Sequence, residues 1–458
     1  MEDMKNGKRS SFSGKLGYVL AAAGASVGLG NIWRFPYLAA KYGGGIFLII
    51  YIVLALTFGY TMIVAETAIG RMTRKSPVGA FKSFGKKKWL SFGGWIHAVI
   101  PVLIVPYYSV IGGWVIKYLV EYFRGNAKQL AEDGYFTDFI SNGVSTELCF
   151  MAFCAFTLII IFAGVQNGIE RVSKIMMPIL IVLSVIIAVY SVTRPGALAG
   201  VKYFLVPNVK NFSWMTVVSA MGQMFYSLSI AMGILITFGS YMKKDTAIED
   251  STRNVEIFDT GIAIMAGLMI IPAVFAFSGG DPDTLQAGPS LMFITIPKVF
   301  QNMGFGTVIG IVFFLLVLFA AVTSSIALTE SAVSTFEDEL GWGRKKATVL
   351  VGVIMLVLGS LSSLGYGPLA GIKIIGMQFL DLFDFLTNSV MMPIAALLTS
   401  LLVSRVVGID KIEAEIIHGE SAFRRKKVFV VMIKYLCPVF AIIILLSSVA
   451  NALGWIKM

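Results

Sequence analysis

Eleven apolar stretches, most of them long enough to cross a lipid bilayer, recur along this chain and leave few ways for it to fold. Roughly 20 helical residues span the ~30 Å of a hydrocarbon core. The stretches fall near residues 14–40, 44–70, 92–121, 147–164, 171–193, 212–241, 256–278, 304–336, 347–364, 378–403 and 428–454. The fourth and ninth are the shortest. Inside hydrocarbon every backbone N–H and C=O needs an internal partner, so runs of this length point to helices. The expected fold is therefore all-α, a polytopic membrane protein of eleven spans. With 57% hydrophobic and 14% charged residues and a mean hydropathy of +0.82, the chain carries more apolar surface than one soluble core can hide.

Lysine and arginine set the sidedness. The N-terminal tail and the loops after spans 2, 4, 6, 8 and 10, counted with Lys15, Arg171 and Lys174 at the span ends they border, hold 25 of the 37. That asymmetry places the N-terminus in the cytoplasm and, with an odd number of spans, the C-terminus outside. The net charge of +11 is a property of these loops and implies no nucleic-acid partner. Met1 to Lys15 leads into an apolar run without a cleavage site and reads as a cytoplasmic tail. Cys149, Cys154 and Cys437 read as packed thiols, and His97 and His418 are the only histidines. No nucleophile constellation, metal cluster or phosphate loop is present, which speaks against an enzyme.

Two spans carry features of interrupted helices. Span 1 has Gly24, Gly28 and Gly30 with Asn31 and Arg34 at membrane depth. Span 6 has Ser227 and Ser229 between Gly222 and Gly233. Small residues alone are compatible with close helix packing. Two such spans, five apart in order, point instead to unwound backbone lining a cavity, since freed peptide groups survive in a bilayer only there. The offset suggests inverted repeats of five spans each. The first repeat, with its tail, would cover 1–205, the second 206–403, and the last loop and helix 404–458, all within a single transmembrane domain.

The run from Ala23 to Phe47, AGASVGLGNIWRFPYLAAKYGGGIF, strongly resembles the signature of the neurotransmitter:sodium symporters, especially their bacterial amino-acid transporters. The likeness continues through Tyr107-Tyr108, GQMFYSLS (Gly222 to Ser229), AAVTSSIA (Ala320 to Ala327), EDEL (Glu337 to Leu340) and DLFDF (Asp381 to Phe385), covering about residues 9–403. The resemblance implies sodium-coupled uptake of a neutral amino acid by alternating access across the cell's inner (plasma) membrane. It implies a substrate carboxylate held by the amides of Leu29 and Gly30 and by the Tyr108 hydroxyl. The ammonium would meet carbonyls of Ser26, Tyr226 and Ser227 and the Ser229 hydroxyl. Ile104, Tyr226, Met232, Ser324 and Leu328 would form an uncharged side-chain pocket suited to hydrophobic L-amino acids.

The same resemblance implies two sodium ions. One would be bound by Ser26, Asn31, Ser227 and Asp259 with the substrate carboxylate, the other by carbonyls of Gly24, Val27 and Ala320 and hydroxyls of Thr323 and Ser324. Asp259 stands where the family commonly has asparagine, and Ala263 stands where chloride-dependent members have serine. Chloride is therefore not expected to be required. Arg34 with Asp384 matches an outer gate. Arg9 with Asp338 matches a cytoplasmic one, supported by Tyr241 and by Phe12, where the family favours tryptophan. Glu66 matches a structural carboxylate, and no obligate protein partner is implied.

Overall fold

The computed structural model describes residues 10–279, 288–452 and 455. Among these, nine helices are long and apolar enough to cross a bilayer: Gly45–Thr73, Lys88–Phe123, Gly143–Phe162, Val165–Val192, Ile248–Ser278, Gly306–Leu340, Arg344–Leu364, Phe379–Val407 and Lys426–Ala452. They are spans 2 to 5 and 7 to 11. Span 1 is a bent pair, 1a (Lys15–Ser26) and 1b (Gly30–Lys41), at 53° to one another. Span 6 is likewise a pair, 6a (Trp214–Ser227) and 6b (Ile234–Tyr241). The all-α architecture of eleven spans is as the sequence implies.

Both breaks have local causes. After Ser26 the chain leaves the helix at Val27, with ψ at 89°. Gly28 then passes so close to spans 8 and 3 that an added Cβ would lie 2.6 Å from Ser324 Oγ and 3.1 Å from Tyr108 Oη. Between 6a and 6b, Ser229, Ala231 and Gly233 all have positive φ, at 53°, 63° and 73°. For the two non-glycine residues this left-handed geometry costs ~1–2 kcal/mol each, so tertiary contacts must hold it.

Spans 3 and 8 lie at the centre, with 78% and 72% of their most apolar windows buried, against 33% for spans 5 and 11. Exposed residues on span 5, such as Ile175, Val182 and Val189, form the apolar surface a bilayer would solvate. Span 4 begins at Gly143, earlier than its apolar run suggests, because Asn142 caps it by accepting from Ser145 N at 3.0 Å. Several short helices carry no clear sequence signal, among them Tyr135–Ser141, Ala197–Leu205 and Ile409–Ile416.

The end of the bundle bearing the basic loops is clasped by one buried cation. Arg71 of span 2 is fully buried and donates Nε to Glu415 Oε1 at 2.8 Å, Nη1 to the Thr246 carbonyl at 2.5 Å and Nη2 to the Glu415 carbonyl. It ties span 2 to the 6–7 and 10–11 loops. Breaking a buried pair strands the remaining charge, at ~3–5 kcal/mol. Lys244, 2.8 Å from Glu415, offsets part of that. Arg71→Ala is thus expected to lower the melting temperature of the detergent-solubilised protein markedly, and an unchanged melting curve would remove the clasp from the account of stability.

Candidate functional site

The two breaks meet spans 3 and 8 around a narrow cavity midway along the helices. It is lined by Ala25, Ser26, Gly28, Leu29, Gly30 and Asn31 from span 1, Tyr108 from span 3, Tyr226, Ser227, Ser229 and Met232 from span 6, and Ser324 and Leu328 from span 8. About 20 Å³ of it is open to the centre of a water molecule. No lining side chain is charged. Every substrate residue expected from the sequence is therefore at this cavity except Ile104. That residue is buried four positions before Tyr108 on the same helix but outside the lining.

Polar atoms in the cavity are partnered across the breaks. Leu29 N donates to Tyr108 Oη at 3.3 Å, and Ser229 Oγ donates to the Ala25 carbonyl at 3.0 Å. Gly30 lies against the Tyr226 ring, where an added Cβ would approach Cδ1 to 2.4 Å. Gln223 Nε2 donates to the Gly30 carbonyl at 3.0 Å. Glu66, fully buried in span 2, accepts the Ala231 amide at 2.8 Å. That carboxylate braces the strained segment of span 6.

Two groups of hard oxygen atoms flank the cavity, of the kind that suits alkali cations. In the first, Asp259 Oδ1 accepts from Asn31 Nδ2 and Ser227 Oγ, both at 2.8 Å. Tyr51 donates to Asp259 Oδ2 at 2.8 Å and to Ser227 Oγ at 3.1 Å. Ser26, whose hydroxyl bonds its own helix at Ala22 O, lies beside this group on the lining. In the second, Ser324 Oγ is 3.2 Å from the Gly24 carbonyl and 3.5 Å from that of Val27. Thr323 Oγ1 is 3.2 Å from the Ala320 carbonyl and 3.0 Å from that of Phe319. Thr323 thus also makes the bond to its own helix that isolated threonines prefer. Tyr51 and Gln223 were not singled out from the sequence. A tyrosine inside an apolar run and one glutamine on a helix carry no spacing signal; only the packing shows where their polar atoms point.

The charge pairs on either side of the cavity differ. Arg34 lies over the Tyr226 ring, 5.4 Å from its centroid, and forms no ion pair within 4.0 Å among the described residues. Asp384 accepts from Tyr107 Oη at 3.2 Å and Asn388 Nδ2 at 2.5 Å. The expected Arg34–Asp384 contact is therefore not made in this conformation, because both partners are held elsewhere. At the opposite end Asp338 accepts the Ser76 amide at 2.6 Å, while Arg9 lies outside the described residues. Phe12, 1% exposed, plugs that side against Tyr18, Phe238 and Tyr241, and its amide donates to the Tyr241 carbonyl at 3.0 Å. Tyr241 Oη donates to Glu330, which is ion-paired to Arg344 at 2.5 Å. Glu330 thereby gains a place in the closed end that its sequence position alone did not define.

A bundle of membrane-spanning helices with two facing breaks, a midplane cavity and closable ends is the architecture of a secondary transporter. The sequence matches the Sodium:neurotransmitter symporter family over residues 9–133 and 120–455. The chain belongs to this family and is a sodium-dependent symporter of the membrane. Among its relatives, an uncharacterised sodium-dependent transporter of Bacillus subtilis, YhdH, is 34% identical over 450 residues, 97% of this chain and 99% of that one. The human sodium- and chloride-dependent GABA transporter 2 is 26% identical, covering 88% of this chain and 73% of its own length. Among solved structures, that of MhsT in complex with L-phenylalanine superposes with a TM-score of 0.86 at 34% identity, covering 96% of this chain and all of MhsT.

Glu66→Ala would leave the Ala231 amide buried without a partner, at ~1–3 kcal/mol. The expected result is a loss of stability that Glu66→Gln, which keeps an acceptor oxygen, largely restores. Equal melting temperatures for wild type and Glu66→Ala would contradict the bracing role.

Proposed function

We propose that the chain takes up neutral, hydrophobic L-amino acids, coupled to two sodium ions and without a chloride requirement. The observation that carries this reading is the Leu29 amide presented beside the Tyr108 hydroxyl at the start of a helix segment. Amides at a helix N-terminus suit a carboxylate, and Leu29, giving up its bond to Tyr108 Oη, forms the cradle together with Gly30 and the Tyr108 hydroxyl. Carbonyls of Ser26, Tyr226 and Ser227 with the Ser229 hydroxyl receive the ammonium, with the Ser229 hydroxyl giving up its bond to Ala25. Met232 and Leu328, both nearly buried, form the apolar end, and the absence of lining charge disfavours lysine or glutamate side chains. The L-phenylalanine bound by MhsT agrees in chemical class.

In this reading one sodium ion sits among Ser26, Asn31, Ser227 and Asp259 and shares the substrate carboxylate. Each ligand then supplies charge the other needs, which is a coupling free energy between two sites. The second sits among Gly24, Val27, Ala320, Thr323 and Ser324 and ties span 1 to span 8. Asp259 brings fixed negative charge, so chloride has no role left. Arg34 closes on Asp384 from outside, with Tyr108 and Tyr226 beneath. Arg9 closes on Asp338 from the cytoplasm, backed by Tyr241 and Phe12. The protein sits in the plasma membrane with its N-terminus inside, as one transporter domain of two repeats (1–205 and 206–403) and a closing segment (404–458), without an obligate protein partner.

Proteoliposomes with an inward sodium gradient are expected to accumulate L-leucine and L-phenylalanine, and to be competed by other hydrophobic amino acids. Competition by lysine or glutamate ahead of these would refute the substrate class. Replacing chloride with gluconate is expected to leave uptake unchanged, whereas Asp259→Ala is expected to abolish sodium-dependent binding. A collapse of wild-type uptake in gluconate would overturn the charge assignment to Asp259.

A further inference from the structure

Span 10 contains a π-helical segment, Phe385–Met391, that begins directly after Asp384. Such segments widen one turn and re-aim side chains, often at functional sites. Here the wide turn carries Asn388. Its Nδ2 donates to Asp384 Oδ1 at 2.5 Å and to Tyr107 Oη at 3.2 Å. Facing the carboxylate with Nδ2 is the only amide orientation that avoids placing two acceptors together. The other end of the same amide, Oδ1, is buried and has no hydrogen-bond partner. A buried amide oxygen without a donor calls for an explanation. Nearby, Arg34 has donors to spare: it makes no hydrogen bond among the described residues and rests only on the Tyr226 ring.

The geometry points to Asn388 as a positioning residue of the outer gate, a role that rests on the gating reading above. Its Nδ2 holds Asp384 in place while the gate is open, and its Oδ1 receives a guanidinium N–H of Arg34 as the gate closes. Arg34 then leaves the Tyr226 face for a pair of acceptors on span 10, the carboxylate of Asp384 and the carbonyl oxygen of Asn388. A planar guanidinium can serve both at once, which a lysine ammonium could not do with the same geometry. The segment gives the gate two stable arrangements. In one, Asp384 is bonded to Tyr107 and Asn388; in the other, Arg34 joins them.

Dissociation of radiolabelled L-leucine from sodium-loaded protein tests this, with wild type, Asn388→Ala, Arg34→Ala and the double variant compared. Asn388→Ala is expected to speed dissociation about tenfold, the worth of one hydrogen bond to a charged group. In the Arg34→Ala background the same change is expected to add nothing. Unchanged dissociation in Asn388→Ala overturns the inference. So does an equal acceleration with and without Arg34, which is the result expected of a merely structural asparagine. A second readout does not depend on the labelled ligand. At Gly222 an added Cβ would sit 3.9 Å from Arg34 Nη2, ordinary contact. In a background with the three native cysteines replaced, a thiol in Gly222→Cys reports where Arg34 lies. Asn388→Ala is expected to change its rate of reaction with a charged methanethiosulfonate; the same rate with and without Asn388 overturns the inference. If wild type binds no amino acid, the substrate reading fails separately, and the thiol reaction still decides the role of Asn388.

Discussion

Backbone amides and carbonyls released from a helix inside an apolar medium must find other partners, and the working parts of this protein follow from that requirement. At Val27 and Gly28 the released groups face span 8, where the single Ser324 hydroxyl proton lies within reach of the carbonyls of Gly24, Ala25 and Val27. In span 6 the left-handed Ala231 is held by Glu66. Neither break stands alone. The Ser229 hydroxyl reaches back to Ala25, so each unwound stretch supplies partners for the other. Peptide groups that are only partly partnered, inside a cavity shielded from lipid, are the ones a small polar ligand can engage.

The ionic chemistry is an extension of the same economy of partners. Asp259 would be expensive at membrane depth as a lone carboxylate. Asn31, Tyr51 and Ser227 each donate to it, and these donors come from spans 1, 2 and 6. A cation entering this group displaces no salt bridge, since the contacts are all to neutral donors. The oxygen atoms around Ser324 and Thr323 are neutral as well, drawn from two helices that must come together for the group to exist. At the proposed sodium sites, ion binding and helix arrangement would be one event, which is a physical basis on which a gradient can drive a conformational cycle.

The two ends of the cavity are in different states. Phe12, Tyr241, Glu330 and Arg344 form a packed and ion-paired plug on the side of the basic loops. On the other side Arg34 and Tyr226 are half-buried, and Arg34 and Asp384 are engaged with separate partners. An asymmetry of this kind is what alternating access requires of any single conformation.

How much of this was legible from the sequence depends on the kind of signal. Eleven apolar runs fixed the number of spans, because hydrocarbon thickness dictates length and the run is local in sequence. The glycines around Val27 and the hydroxyls after Tyr226 marked the two breaks, since weak helix formers act where they stand. Family resemblance brought Tyr108, Asn31, Asp259 and Ser324 to one site without showing what they touch. Tertiary structure alone decided that Tyr51 and Gln223 serve the site, that Ile104 stands behind the lining, and that Arg71 clasps the loops through Glu415. It also decided that Arg34 and Asp384 stand apart, Arg34 over the Tyr226 ring and Asp384 bonded to Tyr107 and Asn388. These depend on side-chain direction across helices distant in sequence, and a linear pattern of polar and apolar residues carries no record of which face meets which.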